Sequence, residues 1–276
     1  MRPFSCACAV VLLYGFPMSR ATAQTPSEPR MILTLFGGVM TGHPLWTVDR
    51  QPLCVLQGSG GVYSCSSNYD TLSIGREIGS SIVFGVSASY FPSPHVGYQG
   101  ELYFLGLPLD DACRNVSPYM PDSEARNQQL CDNIASASLS SSAVAIYFGP
   151  ILRLAPQSAI SPYVRGGVGL VTHPSGTVQL SGQYVSEGFV QSREVIADES
   201  PSSASVSTQI AAGFQARVAP GYQFRLEVRD AILPLRRVTG PANQLGTAPS
   251  DSRWYSHVVF TMGLDIVLEK KRGRRY

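Results

Sequence analysis

Hydrophobic and polar residues alternate along most of this chain, so that every second residue belongs to the same face of an extended segment. Near the C-terminus one face is wholly apolar, and it consists of Val258, Phe260, Met262, Leu264, Ile266 and Leu268. The opposite face is mixed and includes Asp265 and Glu269. A period of two over ten or more residues is typical of β-strands whose two faces meet different surroundings. The pattern predicts eight strands, near Met31–Thr41, Leu72–Phe91, Val96–Leu107, Ser138–Leu154, Pro162–His173, Ser207–Val218, Tyr222–Leu233 and Arg253–Glu269.

The connections between these predicted strands are long and short in turn. The short ones are rich in Pro, Gly and Ser and lie at Pro92–His95, Ala155–Ser161 and Ala219–Gly221. The long ones cover Gly42–Thr71, Pro108–Ala137, Pro174–Val206 and Pro234–Ser252. Short turns on one side and long loops on the other are typical of barrels in an outer membrane. We therefore expect an all-β fold, an eight-stranded antiparallel up-and-down transmembrane β-barrel with short periplasmic turns and long external loops. A secreted β-sandwich is the alternative, but it does not explain the alternation of lengths.

Charged residues in the predicted strands lie opposite the larger apolar residues, which places them in the lumen. An eight-stranded barrel is just wide enough for side chains to fill its interior, and a buried charge is tolerated chiefly when it is paired. We therefore expect an internal charge network that serves packing and register rather than ion conduction. Its predicted members are Glu77, Glu101, Arg153, Arg165, Arg217, Arg225, Glu227, Arg229 and Asp265.

The N-terminal residues have the pattern of an export signal. Arg2 precedes an apolar run that ends before Ala21-Thr22-Ala23, a small-x-small sequence suited to cleavage before Gln24. We expect a signal peptide at 1–23, a periplasmic segment at 24–30, the barrel at 31–269 and a basic tail at 270–276. The chain has 21 Lys and Arg against 19 Asp and Glu, and cleavage removes Arg2 and Arg20. The resulting neutral chain argues against nucleic acid as a partner.

Four cysteines follow the predicted signal, and all lie in long connections. Cys54 and Cys65 share the first connection, and Cys113 and Cys131 share the second. An even number in an exported protein predicts disulfides, for which three connectivities are possible. Pairing within each connection closes the shortest rings and is therefore favoured. A zinc site is the alternative, although neither pair has the CxxC spacing. No phosphate loop, dinucleotide fingerprint or metal-ligand cluster is present, so we expect no cofactor and no metal.

Three segments resemble strands of the small OmpA/OmpW-type outer-membrane β-barrel proteins: PYVRGGVGL at Pro162–Leu170, YQFRLEVRD at Tyr222–Asp230 and VVFTMGLDIVL at Val258–Leu268. The resemblance implies a single-domain barrel in the bacterial outer membrane, inserted by the barrel-assembly machinery and surrounded by outer-membrane lipids and lipopolysaccharide. The final strand departs from the family pattern, because it ends in Leu268 and a basic tail rather than in an aromatic residue.

One further motif has catalytic potential. His173-Pro174-Ser175, followed by Glu187, resembles the His-x-Ser…Glu arrangement of outer-membrane lipid A deacylases, which implies a serine nucleophile activated by histidine. Gly176 stands where that family has Asn, and strand parity turns His173 toward the lumen rather than the lipid. We therefore assign no catalytic residue and expect a structural or surface-interaction role with an unknown external partner. A lipid A-modifying esterase and a narrow channel or carrier for small hydrophobic molecules are the alternatives.

Overall fold

The computed structural model describes residues 30–59, 62–118, 125–173, 178–197, 203–243 and 246–268. The predicted signal peptide, nearly all of the segment at 24–30 and the basic tail lie outside these ranges. The described residues form strands and one helix, with these bounds: β1 Arg30–Met40, β2 His43–Ser59, β3 Val62–Ile78, β4 Ser81–Phe91, β5 Val96–Ser117, α1 Arg126–Ser136, β6 Ser138–Arg153, β7 Ile160–His173, β8 Leu180–Ser186, β9 Phe189–Ile196, β10 Ser203–Ala219, β11 Tyr222–Val238 and β12 Ser250–Leu268.

Eight of these strands close into a ring. Going around the wall, β1 is followed by β4, β5, β6, β7, β10, β11 and β12, and β12 pairs again with β1. Every neighbouring pair in the ring is antiparallel. The ring confirms the predicted fold class, and closure removes the open sheet edges that a membrane does not tolerate.

The predicted strand Leu72–Phe91 is wrong, because this segment forms two strands. β3 ends at Ile78, and β4 begins at Ser81. The two strands are separated at Gly79 and Ser80. The Gly79 N–H donates to the carbonyl of Pro108 on β5, and a Cβ on Gly79 would lie 2.7 Å from the Asp110 carboxylate. Both strands pair with β5: β4 pairs with its ring portion, and β3 pairs with its far end and with β2. The buried side chains are at even-numbered positions in β3 and at odd-numbered positions in β4, so the inward face shifts by one residue. Most of the larger apolar residues stay at even positions through both strands, so the sequence pattern does not reveal this shift.

The long connections are largely regular structure rather than loops. β2 and β3 form one hairpin, β8 and β9 form another, and α1 packs against β8 and β5. We call the assembly of β2, β3, α1, β8 and β9, with the outlying parts of β5 and β11, the cap. The opposite end of the barrel carries the three short connections, and we call it the turn end.

Both disulfides lie in the cap. Cys54–Cys65 closes the β2–β3 hairpin, and Cys113–Cys131 joins β5 to α1, with Cα separations of 5.4 Å and 5.2 Å. These are the pairings within single connections that ring size favours. The four thiols are consumed by the bonds, which removes the alternative zinc site.

The outer face of the ring is exposed and apolar. It includes Leu35, Val39, Ile82, Phe84, Ile146, Phe148, Val168, Ile210, Phe260 and Met262. Such a continuous band is far larger than the apolar patches of soluble proteins and matches the lipid-facing wall of a transmembrane barrel. Tyr90, Tyr98 and Tyr222 are exposed near the turn end, and Trp254 is exposed toward the cap. Aromatic rings at both rims suit the two membrane interfaces. Within the described ranges, no helix is long and apolar enough to cross a membrane.

Candidate functional site

The middle of the lumen holds four charged side chains, Glu101, Arg165, Glu227 and Arg229, which we call the central cluster. Arg165 donates from Nε and Nη2 to the two carboxylate oxygens of Glu227, at 2.7 Å each, and Nη2 also lies 2.8 Å from Glu101. Arg229 pairs with Glu227 at 2.8 Å and with Glu101. All four side chains are at most 4% exposed. Two cations and two anions therefore balance each other in the interior.

Aromatic rings complete the same cross-section of the lumen. The Tyr163 hydroxyl donates to Glu227 at 2.7 Å, and the Arg229 guanidinium lies 5.2 Å from the Tyr103 ring centroid. Tyr103 and Tyr147 are stacked with their centroids 5.5 Å apart, and both are buried. Because a guanidinium gains from an aromatic face and a carboxylate from donated hydrogen bonds, the rings support the charges that they surround.

A second group lies closer to the turn end and is centred on Asp265. Its carboxylate accepts hydrogen bonds from Thr34 at 2.7 Å and Gln215 at 2.6 Å, and it lies 3.0 Å from Nε of Arg225. Asp265 is completely buried. We call Thr34, Gln215, Arg225 and Asp265 the Asp265 group.

Three of the predicted lumen residues do not join these clusters. Glu77 lies on β3, outside the ring, and is exposed because the buried face of β3 consists of even-numbered residues such as Arg76 and Ile78. Arg217 is exposed at the turn end, where β10 leaves the lumen. Arg153 is buried in the lumen, but it forms no ion pair within the described residues. Strand parity alone does not tell how far along the strand the lumen extends.

Helix α1 shields the edge of the β8–β9 hairpin, a feature that the sequence reasoning missed. The backbone N–H of Val185 donates to the side chain of Gln129 at 2.9 Å, and that of Gln183 donates to Asn133 at 2.8 Å. Two acceptors four residues apart on one helix face can serve two N–H groups two residues apart on a strand edge. The helical spacing of the buried Leu130 and Ile134 is the sequence signal that could have revealed this helix.

A cleft of about 580 Å³ lies in the cap, lined among others by Gln51, Leu53, Tyr69, Arg193, Ala242 and Asn243. Gln51 holds the β11–β12 connection against β2, because its amide both donates to and accepts from the backbone of Ala242. Arg193 donates to the Cys54 carbonyl and to the Asn127 side chain, each at 3.0 Å. Burial lowers the pKa of the Arg193 guanidinium. The residues that line the cleft are far apart in the sequence, so no local sequence motif predicts the cleft.

The predicted catalytic alternative is only partly described. His173 is the last residue of β7, and Glu187 is exposed at the turn of the β8–β9 hairpin with a φ of 52°. Ser175 lies outside the described residues, so the His-Ser-Glu arrangement stays a prediction. Within the described part of the chain, no group of three or more His, Cys, Asp or Glu could hold a metal ion.

A closed ring of eight antiparallel strands with an apolar outer wall and a charged, filled lumen defines the class of small transmembrane β-barrels. Among solved structures, the chain is similar to the outer membrane protein OprG from Pseudomonas aeruginosa, at 10% identity and a TM-score of 0.45, covering 88% of this chain and 96% of that one. It is also similar to the outer membrane protein AlkL in DMPC bilayers, at 13% identity and a TM-score of 0.39, with 92% and 97% covered. The outer membrane protease OmpT from Escherichia coli matches at 9% identity and a TM-score of 0.39, with 90% and 99% covered. No protein-family model and no curated protein sequence matches the chain.

Proposed function

We propose that this protein is a closed barrel of the bacterial outer membrane that displays a braced cap for interaction at the cell surface. In this arrangement the turn end faces the periplasm, and the cap faces outward. The observation that carries the proposal is the filled cross-section of the lumen. The central cluster and the stacked Tyr103 and Tyr147 rings are all nearly fully buried. A filled lumen serves as a rigid support rather than as a path for solutes.

The cap supports the interaction role because it is built as a rigid surface. Two disulfides, the helix α1 and the Gln51–Ala242 contact join its parts. Rigid presentation lowers the entropy that is lost on binding. The cleft of about 580 Å³ falls within the size range of small-molecule sites. The polar side chains of Gln51, Arg193 and Asn243 line this cleft and could orient a polar ligand there.

Two measurements on the purified, refolded protein separate this function from the alternatives. In planar lipid bilayers we expect no current steps of uniform size, because the central cluster closes the lumen. Regular conductance steps from the wild-type protein would favour the channel. Incubation with lipopolysaccharide should release no fatty acid. Release that is lost in the Ser175→Ala variant would favour the esterase. The surface role itself is tested by binding of candidate envelope and host-surface glycans to the wild-type protein, with Gln51→Ala as the variant that loosens the cleft.

A further inference from the structure

Arg153 is a buried cation without an ion-pair partner among the described residues. Its residue is 4% exposed, and its guanidinium carbon lies 3.4 Å from the centroid of the Phe91 ring. Nε and Nη2 are buried, and neither has a hydrogen-bond partner in that part of the chain. The face of an aromatic ring stabilises the positive charge but does not accept the N–H groups in strong hydrogen bonds. Buried N–H groups without a hydrogen-bond acceptor are costly, so an acceptor is expected here.

The charges around Arg153 do not supply that acceptor. The charged groups near Arg153 are the cations Arg225 and Arg30 and the carboxylate of Asp265. Asp265 is already engaged by the other members of the Asp265 group. One N–H group of Arg225, Nη2, is also buried without a partner in the described structure. The turn end of the lumen therefore carries excess positive charge, in contrast to the balanced central cluster.

The turn end also has a cavity that opens to the surroundings. This cavity of about 510 Å³ is lined by Arg30, Arg217, Tyr222, Gln223 and Val267, among others. Arg30 and Arg217 are exposed, and neither forms an ion pair within the part of the chain that the structure describes. Arg30 links the cavity to Arg153, since it lines the cavity and is paired in the wall with Phe91, whose ring lies against the Arg153 guanidinium.

We propose that the turn end of the barrel is an oxyanion site that takes a phosphate group, with Arg153 as its buried donor and Arg30 and Arg217 at its entrance. The planar N–H fork of a guanidinium matches phosphate oxygens, and several arginines together favour an anion with more than one oxygen. The site goes beyond the proposed surface role, because it lies at the other end of the barrel. The phosphate can come from a free anion in the periplasm or from a lipid headgroup in the inner leaflet.

Isothermal titration calorimetry of the protein in a neutral maltoside detergent and phosphate-free buffer tests the site. One titration uses inorganic phosphate, and a second uses short-chain phosphatidylglycerol. We expect saturable binding of at least one probe. Saturation by phosphate identifies a free anion as sufficient, and saturation by the lipid alone identifies the headgroup as the source. Arg153→Gln should weaken binding by at least about tenfold, since it removes the charge-assisted donor.

Arg237→Gln is the matched control. Arg237 is more exposed than Arg153 and lies on the cap side of β11, so its substitution should leave the affinity for either probe unchanged. Arg217→Gln removes an entrance charge from an exposed position, so it tests the site even if Arg153→Gln fails to fold. We expect it to weaken binding severalfold. The proposal is overturned if the wild type binds neither probe, if a folded Arg153→Gln binds as the wild type does, or if Arg217→Gln has no effect.

Discussion

Arg165 and Glu227 are joined by two hydrogen bonds of 2.7 Å although their strands, β7 and β11, are not neighbours in the wall. β10 lies between them, and its inward residues at this level are Ala211 and Gly213. Gly213 is paired with Tyr163 on one side and with Glu227 on the other. The absence of a side chain at this position lets the long side chains of the two flanking strands meet over β10. The central cluster therefore depends on a small residue as much as on the charges.

Replacing Glu227 by Gln should destabilise the barrel strongly. The substitution leaves Arg165 and Arg229 buried with one carboxylate, that of Glu101, between them. Breaking a buried ionic network by removing one member costs about 3–5 kcal/mol. Urea unfolding in detergent or lipid should report a loss of this size. A stability equal to that of the wild type would mean that the central cluster is hydrated rather than closed.

Asp251→Asn is the matched control for that substitution, and the contribution of the Asp251–Arg237 ion pair to stability should depend on pH. Asp251 also accepts two hydrogen bonds from one arginine, Arg237, but this pair lies at the surface of the cap. The bond from Arg237 lowers the pKa of Asp251. The stabilisation that the Asp251–Arg237 pair contributes is therefore fully present above the ordinary pKa of aspartate. It is lost as the pH falls through the lowered pKa of Asp251. Because exposed ion pairs contribute little, Asp251→Asn should unfold as the wild type does at neutral pH.

Substitutions at Leu226 should distinguish the two faces of β11. Its backbone lies between those of Arg225 and Glu227, but its side chain points outward toward lipid. Leu226→Ala replaces an apolar side chain in contact with lipid by a smaller apolar one, so it should lower the free energy of unfolding only slightly. Leu226→Arg should cost about 2–4 kcal/mol if the residue lies near the bilayer midplane. The same unfolding measurement applies, and a benign Leu226→Arg beside a damaging Leu226→Ala would show that the faces are exchanged.

Gly213→Ala should be harmful, whereas Gly100→Ala should be tolerated. A Cβ on Gly213 would meet the backbone carbonyl of Leu226 and would lie 2.9 Å from the Tyr163 hydroxyl, so the wall itself must shift. Nothing lies within 4 Å of a Cβ built on Gly100, which is also a strand glycine of the ring. We expect overpacking at Gly213 to cost about 1–3 kcal/mol. Equal stabilities of the two variants would argue against the close crossing over β10.

Removing the Cys113–Cys131 disulfide should loosen the cap without opening the barrel. The bond closes a chain separation of 18 residues, for which the chain-entropy model gives about 3 kcal/mol. The Cys113→Ser, Cys131→Ser double variant should be cut by protease in the cap at lower concentrations than the wild type. Its heat-modifiable migration on gels, which reports the closed barrel, should persist. Loss of that migration would mean that the cap and the ring unfold as one unit.

The alternation of residues was enough to predict the ring, because a strand between lipid and a packed lumen must alternate along its whole length. The same rule placed Glu101, Arg165 and Glu227 on the inward face, but it also placed Glu77 and Arg217 there. Glu77 differs because the inward face shifts by one residue between β3 and β4, and Arg217 differs because the lumen ends before it. Both the register shift and the end of the lumen are set by how neighbouring strands pair, and no local sequence pattern reveals that pairing.

The sequence by itself determined the strand faces, the number of strands in the ring and the alternation of short turns with long connections. Only the tertiary structure decided that the long connections fold into a cap with a helix. It also decided which carboxylate each arginine of the central cluster contacts, and that Arg153 contacts no carboxylate among the described residues. The physical reason is that alternation follows from local geometry and from the two environments of a wall, whereas ion pairs such as Arg165–Glu227 join residues 62 positions apart. Such contacts form only because the ring closes and because Gly213, which has no side chain, lets the side chains of β7 and β11 meet over β10.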